Sequence, residues 1–349
     1  MTDQAADPAP RAAIFGCSGP LLTPGEQWFF READPWGFIL FTRNCRSRNQ
    51  IADLVQALRA CVGRPDAPVL IDQEGGRVQR LGPPDWPAYP SAEALGSLHG
   101  QNPDMAHEAV TLQVRLMAHD LRALGITVDC LPVADVPAAD EHGIIGDRAY
   151  GRTADVVAAL AGTAAQALLA EGVLPVLKHL PGHGRARADS HETLPVVDAS
   201  WAALSALDFA AFRPLCGLPL GMSAHVVYSA IDPEAPATWS ARVIGEVIRA
   251  EIGFDGLLMT DDLSMGALSG PFSERAARSF AAGCDVVLHC NGRMDEMVEI
   301  AAATPRLGGD ARRRADRALA SLSGDRSGGA PFDPEAAWAK LRSVIDSRS

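Results

Sequence analysis

The chain has 349 residues, a formal net charge of −12 at pH 7 and 47% hydrophobic residues. This length can bury a large core, and the acidic balance, with no basic cluster beyond Arg312–Arg314, argues against nucleic-acid binding. We interpret those arginines as a solvated helix face, and since no apolar run approaches the roughly 18 residues that cross a membrane, we expect no membrane-spanning segment.

Residues 1–11 are acidic and rich in alanine and proline, without the basic start and apolar run of a signal peptide. We expect a disordered tail there. The seven cysteines are odd in number, scattered, mostly within apolar runs and free of Cys-x-x-Cys pairs, which is typical of reduced core residues. Both features predict a cytoplasmic protein.

Eight short apolar runs predict strands over Ala12–Cys17, Gly37–Phe41, Val69–Asp72, Thr127–Leu131, Leu174–Lys178, Leu220–Ser223, Gly256–Thr260 and Asp285–His289. Helical patterns lie between them, for example over Gln50–Cys61, Met105–Leu124, Asp155–Glu171, Trp201–Leu215 and Arg242–Ile252. This alternation predicts an α/β fold, a single-domain (β/α)8 TIM barrel over residues 12–349 that ends in two further helices after Gly308. An open, doubly wound sheet is the alternative.

Polar residues follow the predicted strands where active sites of such barrels lie, at the carboxyl ends. They are Asp72 to Arg77 after the third strand, Asp129 in the fourth, Lys178 and His179 at the end of the fifth, His225 after the sixth, and Asp261 and Asp262 at the end of the seventh. Gly75 and Gly76 lack the rest of a phosphate-loop signature, so we expect them to allow a sharp turn that lets Asp72 and Arg80 face a ligand.

The segment from Lys178 to His191 contains one of only two lysines in the chain, three histidines and an aspartate. Asp189 and His191 are spaced for a hydrogen bond within a turn, which would raise the basicity of the imidazole and suit it to general acid and base catalysis. The alternative is a turn aspartate beside an exposed histidine. The glycines and arginines of Gly182–Asp189 predict a mobile loop.

Histidines 179, 183 and 191 could be metal ligands, but the first strand lacks the His-x-His of metal-dependent barrel hydrolases. We expect a mechanism that uses side chains alone, with no metal and no cofactor. Of the adjacent acids Asp261 and Asp262, one can cap the following segment while the other points into the barrel mouth.

Four motifs carry a family resemblance: Ile71 to Arg80, Gly146 to Gly151, Lys178 to Gly184 with Asp189 to His191, and Gly253 to Met265. In this order, from about residue 12 to residue 300, the chain resembles the bacterial β-N-acetylhexosaminidases of glycoside hydrolase family 3. Leu180 stands where the motif commonly has Phe, and Ala149-Tyr150 where it often has Ser-Phe. We expect these departures to affect local packing and not the chemistry.

The resemblance implies a retaining mechanism with Asp261 as nucleophile and His191, assisted by Asp189, as acid/base. It also implies five sugar-binding residues: Asp72, Arg80, Arg148, Lys178 and His179. The implied substrate is a muropeptide with terminal N-acetylglucosamine, recycled in the cytoplasm. A β-N-acetylglucosaminide phosphorylase is one alternative, since a neutral histidine does not repel phosphate, and a non-catalytic sugar-binding barrel is another.

Overall fold

A computed structural model of the protein describes residues 9–137, 144–190, 192–323 and 332–346. Eight parallel strands form a closed barrel: β1 Arg11–Gly16, β2 Pro35–Leu40, β3 Val69–Ile71, β4 Val128–Asp129, β5 Leu174–Leu180, β6 Leu220–Ser223, β7 Leu257–Asp262 and β8 Val286–His289. Each strand pairs with its neighbour in the chain, and β8 closes the barrel on β1 with Ala13 opposite Val287. The closed barrel confirms the predicted fold and rules out the open sheet.

The outer layer contains α1 Pro24–Ala33, α2 Arg48–Val62, α3 Ala92–Gly96, α4 Pro103–Ala123, α5 Ala154–Glu171, α6 Trp201–Ala203, α7 Phe209–Phe212, α8 Phe272–Ala282, α9 Met294–Ala303, α10 Gly309–Ala320 and α11 Pro334–Asp346. The helix predicted over Trp201–Leu215 is continuous but contains π and 3-10 turns, and a π-helix spans Val243–Glu251. The two helices expected after Gly308 are α10 and α11.

Alternating strand residues divide the hydrophobic core into two parts. Ile14, Val128 and Met259 belong to the core inside the barrel, whereas their sequence neighbours Phe15 and Leu258 belong to the layer between strands and helices. Successive strand side chains point to opposite faces, so each strand contributes to both parts. The strands are therefore apolar on both faces, which is the pattern that the sequence shows.

Two details differ from the sequence analysis. Helix α5 is long and apolar enough to cross a membrane by length and composition, whereas we found no apolar run that approaches that length. It packs instead in the outer layer against α4 and β5, with Leu160, Ala164 and Leu168 fully buried. The tail predicted for residues 1–11 lies mostly outside the described residues, but Arg11 is already the first residue of β1.

The arginines of α10 are ion-paired rather than merely solvated. Asp285, which is 6% exposed, accepts hydrogen bonds from Arg314 Nη1 at 2.9 Å, Arg249 Nη2 at 2.7 Å and the Leu258 amide at 2.9 Å. Asp255, about half exposed, pairs with Arg314 and other α10 arginines. These contacts fix α10 against the start of β7 and the turn before β8.

Removing the buried carboxylate should cost far more stability than removing the exposed one. We expect Asp285→Ala to lower the free energy of unfolding by about 3 kcal/mol, because it leaves buried guanidinium groups uncompensated. The matched change Asp255→Ala should cost about 1 kcal/mol or less, since its ion pairs are solvent-screened. Urea denaturation of both variants measures the difference, and equal losses would contradict this account of α10.

Candidate active site

A cavity opens at the carboxyl ends of the barrel strands. Its lining contains seven of the eight site residues named from the sequence: Asp72, Arg80, Arg148, Lys178, His179, Asp189 and Asp261. The eighth, His191, lies outside the described residues. Residues from the ends of β5 and β7 and from the loops after β3, β4 and β5 thus meet in one place.

A chain of ion pairs fixes the charged side of the cavity. Lys178 Nζ lies 3.0 Å from Asp72 Oδ1 and 2.6 Å from Glu74 Oε1. Arg80 Nη2 binds the other Asp72 oxygen at 2.9 Å, and Arg148 binds Glu74 through two hydrogen bonds of 2.8 Å. Five side chains from three strand ends are therefore held in one network, with two carboxylates between three cations.

Burial is the largest single influence on the pKa values of these groups, but the ion pairs together outweigh it. Burial would raise the pKa of Glu74, but Arg148 and Lys178 lower that pKa to about 2, and Lys178 with Arg80 lowers the pKa of Asp72 further still. Burial would likewise lower the pKa of Lys178, but Glu74 and Asp72 raise it above its ordinary value. All these groups are charged at neutral pH.

The turn after β3 brings Asp72 and Arg80 together as expected. Gly75 and Gly76 have positive φ angles of 90° and 58°, which side chains disfavour. A Cβ atom at Gly75 would lie 2.4 Å from the Pro90 carbonyl oxygen, so glycine is also required by space. The chain turns back between the short strands Gln73–Gly75 and Val78–Gln79.

His179 is oriented by a buried carboxylate. Asp135, fully buried, accepts a hydrogen bond from His179 Nδ1 at 2.7 Å and others from the His179 and His183 amides at 3.3 and 2.6 Å. A carboxylate accepts only, so Nδ1 of His179 carries a proton and the ring is held with Nε2 on its other side. Asp135 does not line the cavity and acts on it through His179.

The two adjacent acids at the end of β7 have different roles. Asp262 accepts hydrogen bonds from the Ser264 amide and hydroxyl at 2.9 and 2.6 Å and from the Cys290 amide at 3.1 Å, so its carboxylate caps the turn. Among the described residues, the Asp261 carboxylate accepts a hydrogen bond only from the Asp262 amide, at 2.8 Å. Burial would raise the pKa of Asp261, but the imidazoles of His179 and His225 outweigh it and lower that pKa, so Asp261 is ionised.

The loop after β5 is anchored at several points. The Tyr228 hydroxyl donates to the Gly182 carbonyl at 2.6 Å, and Arg185 pairs with Asp208 at 2.7 Å. Gly184 lies against the loop after β4, where a Cβ would be 2.0 Å from the Val136 carbonyl oxygen. Of the two arginines in this loop, Arg187 is exposed and Arg185 is half-buried. The mobility of the loop stays a prediction.

Two polar residues named from the sequence do not line the cavity. Asp129 is fully buried and accepts the Gln73 amide at 3.0 Å, and burial raises the pKa of its carboxyl. His225 contacts Thr238 and the Asp262 carbonyl at 2.8 and 3.1 Å. Both side chains support strand ends.

Sequence reasoning missed two acids that organise the site. Glu74 follows Asp72 by two residues, a spacing that places both on one face of an extended chain and could have identified it. Asp135 lies four residues after Leu131, where the predicted fourth strand ends, in an apolar stretch where a lone acid is a signal of a buried partner. The ion-pair partners of Glu74 and Asp135 could not be identified from the sequence.

The cavity also has an apolar wall, with Phe41, Met222 and Leu288 among its residues. The guanidinium of Arg80 lies 5.0 Å from the centre of the Phe41 ring. Within the described residues, no group of three or more His, Cys, Asp or Glu side chains is arranged to hold a metal ion. The arrangement offers an ionised carboxylate, charged hydrogen-bonding groups and an apolar wall, which together suit a polar ring such as a sugar.

Comparisons with known proteins agree with this reading. The model of the glycosyl hydrolase family 3 N-terminal domain matches residues 36–310. A β-hexosaminidase of Alkalilimnicola ehrlichii is 38% identical over 282 residues, which are 80% of each chain.

Solved structures show the same architecture. NagZ from Neisseria gonorrhoeae, in complex with N-trifluoroacetyl-D-glucosamine, has a TM-score of 0.84 and 30% identity, covering 97% of this chain and 98% of its own. A glycoside hydrolase family 3 β-N-acetylglucosaminidase from Paenibacillus sp. has a TM-score of 0.80 and 28% identity, covering 96% of this chain and 67% of its own.

The charge on Glu74 should stabilise the fold in a pH-dependent way. Its folded-state pKa of about 2 lies below the ordinary value of 4.5, so the stabilisation is complete above pH 4.5 and is lost as pH falls towards 2. We expect Glu74→Gln to lower the free energy of unfolding by about 3 kcal/mol at pH 7 and by much less at pH 3.

The matched control is Glu108→Gln, because Glu108 pairs with Lys340 but is 42% exposed. Its effect should be under about 1 kcal/mol at every pH. Urea denaturation between pH 7 and pH 3 gives both curves. A Glu74→Gln effect that is constant over this range would show that the Glu74 charge does not stabilise the network.

Proposed function

Because the chain belongs to glycoside hydrolase family 3, as a β-hexosaminidase-type glycosidase, we propose that it is a retaining exo-β-N-acetylglucosaminidase. It removes terminal, non-reducing N-acetylglucosamine from peptidoglycan fragments. The observation that carries the proposal is that the ionised Asp261 lines the same cavity as the charged set of Asp72, Arg80 and Lys178. The glucosamine derivative bound by the Neisseria relative supports the same sugar.

In this proposal the fixed charges bind the sugar. Asp72 accepts hydrogen bonds from sugar hydroxyls, while Arg80, Arg148 and Lys178 donate to sugar oxygens, and His179 presents its Nε2. Since the ion pairs already hold these groups in place, binding requires little reorganisation of the protein. Charge-assisted hydrogen bonds of this kind are stronger than neutral ones, which suits a site that must hold one sugar ring in one orientation.

The reaction proceeds through a covalent glycosyl-enzyme. The Asp261 carboxylate attacks the anomeric carbon, while the glycosidic oxygen takes a proton from His191 and leaves as an alcohol. Water then gives a proton to His191 and attacks the same carbon, which breaks the bond to Asp261. The sugar leaves with its configuration retained, and His191 regains its proton. Asp189 holds the His191 ring, so an imidazole replaces the second carboxylate that most retaining glycosidases use.

We also propose that the protein acts in the cytoplasm. Its seven cysteines are all free thiols, and burial is the main cause that raises the pKa values of five of them to about 12 or well above the ordinary value, which fits a reducing compartment. Fractionation of the host cells tests it, and activity confined to the periplasm or medium would contradict it.

The nucleophile is tested by Asp261→Asn. We expect the loss of the carboxylate to lower kcat by several orders of magnitude, about 10³-fold or more, while the thermal unfolding temperature changes little. A slow fluorosugar substrate should label the wild-type protein at Asp261, as mass spectrometry of peptides would show. Asp262→Asn serves as the control, because Asp262 caps a turn. Labelling at Asp262 would transfer the role to that residue.

The reaction type is tested by product analysis. Incubation with a disaccharide-peptide from digested peptidoglycan should release free N-acetylglucosamine, with the β anomer first in the proton NMR spectrum because the configuration is retained. Added phosphate should leave rate and product unchanged. Initial α anomer would establish inversion, whereas N-acetylglucosamine 1-phosphate would establish the phosphorylase alternative, which a neutral histidine permits.

A further inference from the structure

Ser190 occupies a distinctive position in the loop after β5, between the two residues proposed to handle the proton, Asp189 and His191. It is 4% exposed, whereas Asp189 is partly exposed and Arg187 is exposed. A small polar side chain buried at the cavity lining needs a hydrogen-bond partner. That partner is the ring of His183, whose Nε2 lies 3.3 Å from Ser190 Oγ.

His183 is itself fixed on one side. Its amide donates to Asp135 Oδ1 at 2.6 Å, the carboxylate that also orients His179. His183 is 3% exposed, and its Nδ1 has no hydrogen-bond partner among the described residues, so the contact with Ser190 is the one hydrogen bond of the ring within that part of the chain. Burial lowers the pKa of His183 to about 4, which keeps the ring neutral.

Ser190 is bound on the other side to the turn that follows the nucleophile. Its carbonyl accepts a hydrogen bond from the Ala267 amide at 3.0 Å. The turn leading to Ala267 begins at Asp262, whose carboxylate and carbonyl bind Ser264 and Met265. Ser190 therefore connects the loop after β5 with the turn after β7, and both contacts bear on Asp189, the residue before it.

We infer that His183 and Ser190 form a positioning pair that holds Ser190 and the adjacent Asp189 in place at the cavity that Asp261 also lines. The inference rests on the proposed function, in which His191 is the acid/base and Asp189 assists it. Neither member of the pair transfers a proton to the substrate. The hydroxyl of Ser190 binds the His183 ring and its carbonyl binds the turn after β7, so the pair supports proton donation through Asp189 rather than nucleophilic attack by Asp261.

The test is the leaving-group dependence of Ser190→Ala. Loss of the hydroxyl frees one side of the segment, so proton donation suffers while nucleophilic attack does not. We expect kcat/KM for a poor leaving group, as in N,N′-diacetylchitobiose, to fall about tenfold. For an activated aryl group, as in 2,4-dinitrophenyl N-acetyl-β-glucosaminide, it should fall less than about twofold, because this group leaves without protonation.

Two further variants complete the design. Ser279→Ala removes another buried, hydrogen-bonded serine, in α8, away from the cavity lining, and should affect neither substrate. A double-mutant cycle combines His183→Ala with Ser190→Ala. The double variant should change the ratio of kcat/KM between the two substrates no more than the more affected single variant does, because both residues act through one contact. Additive effects, or equal losses for both substrates with Ser190→Ala, would overturn the positioning pair.

His191→Ala separates this inference from the proposed function. It should slow the poor leaving group by about 10²-fold or more relative to the activated one. If His191→Ala discriminates between the substrates and Ser190→Ala does not, the positioning pair is wrong and the proposed acid/base stands. If His191→Ala slows both substrates equally, His191 is not the acid and the inference falls with it.

Discussion

The site depends on one buried ammonium group. Lys178 is 2% exposed, and a cation so deeply buried is unfavourable unless carboxylates surround it. Asp72 and Glu74 supply that charge, and their remaining oxygens are in turn bound by Arg80 and Arg148. Each charge in the network is stabilised by the others, so the charged side of the cavity is formed without a ligand. A point charge with three donors suits the centre of such a network, which gives a reason for lysine at this position in a chain that otherwise uses arginine.

The side of the cavity that contains Asp261 and His179 is held differently, by hydrogen bonds from the backbone to neighbouring acids. Asp262 satisfies the turn after β7, which leaves Asp261 ionised and facing the cavity. Asp135 similarly binds two amides and the His179 ring. In both cases a carboxylate fixes the backbone next to a side chain that lines the cavity, which is a common arrangement around functional groups in proteins. The barrel provides the frame, since all these residues lie at the carboxyl ends of its strands.

The sequence predicted the barrel well because apolar strands and amphipathic helices have distinct periods, and because an eightfold alternation matches few folds. It also placed Asp72, Lys178 and Asp261 at strand ends that meet. It could not identify Glu74 or Asp135 as partners, since ion pairs join residues about 100 and 44 positions apart, and spacing along the chain carries no signal of such contacts. The apolar length of α5 was underestimated, and length and composition alone do not distinguish a core helix from a membrane-spanning one.

The central claim is that a preformed charged network orients one terminal sugar towards Asp261. A crystal structure of the protein soaked with N-acetylglucosamine tests it most directly. The account predicts the sugar in the cavity, with hydroxyl oxygens about 3 Å from Asp72, Arg80 and Lys178, the anomeric carbon facing Asp261, and the ion pairs unchanged from the free protein. A sugar bound with its anomeric carbon away from Asp261, or a network that must rearrange to admit it, would contradict the claim.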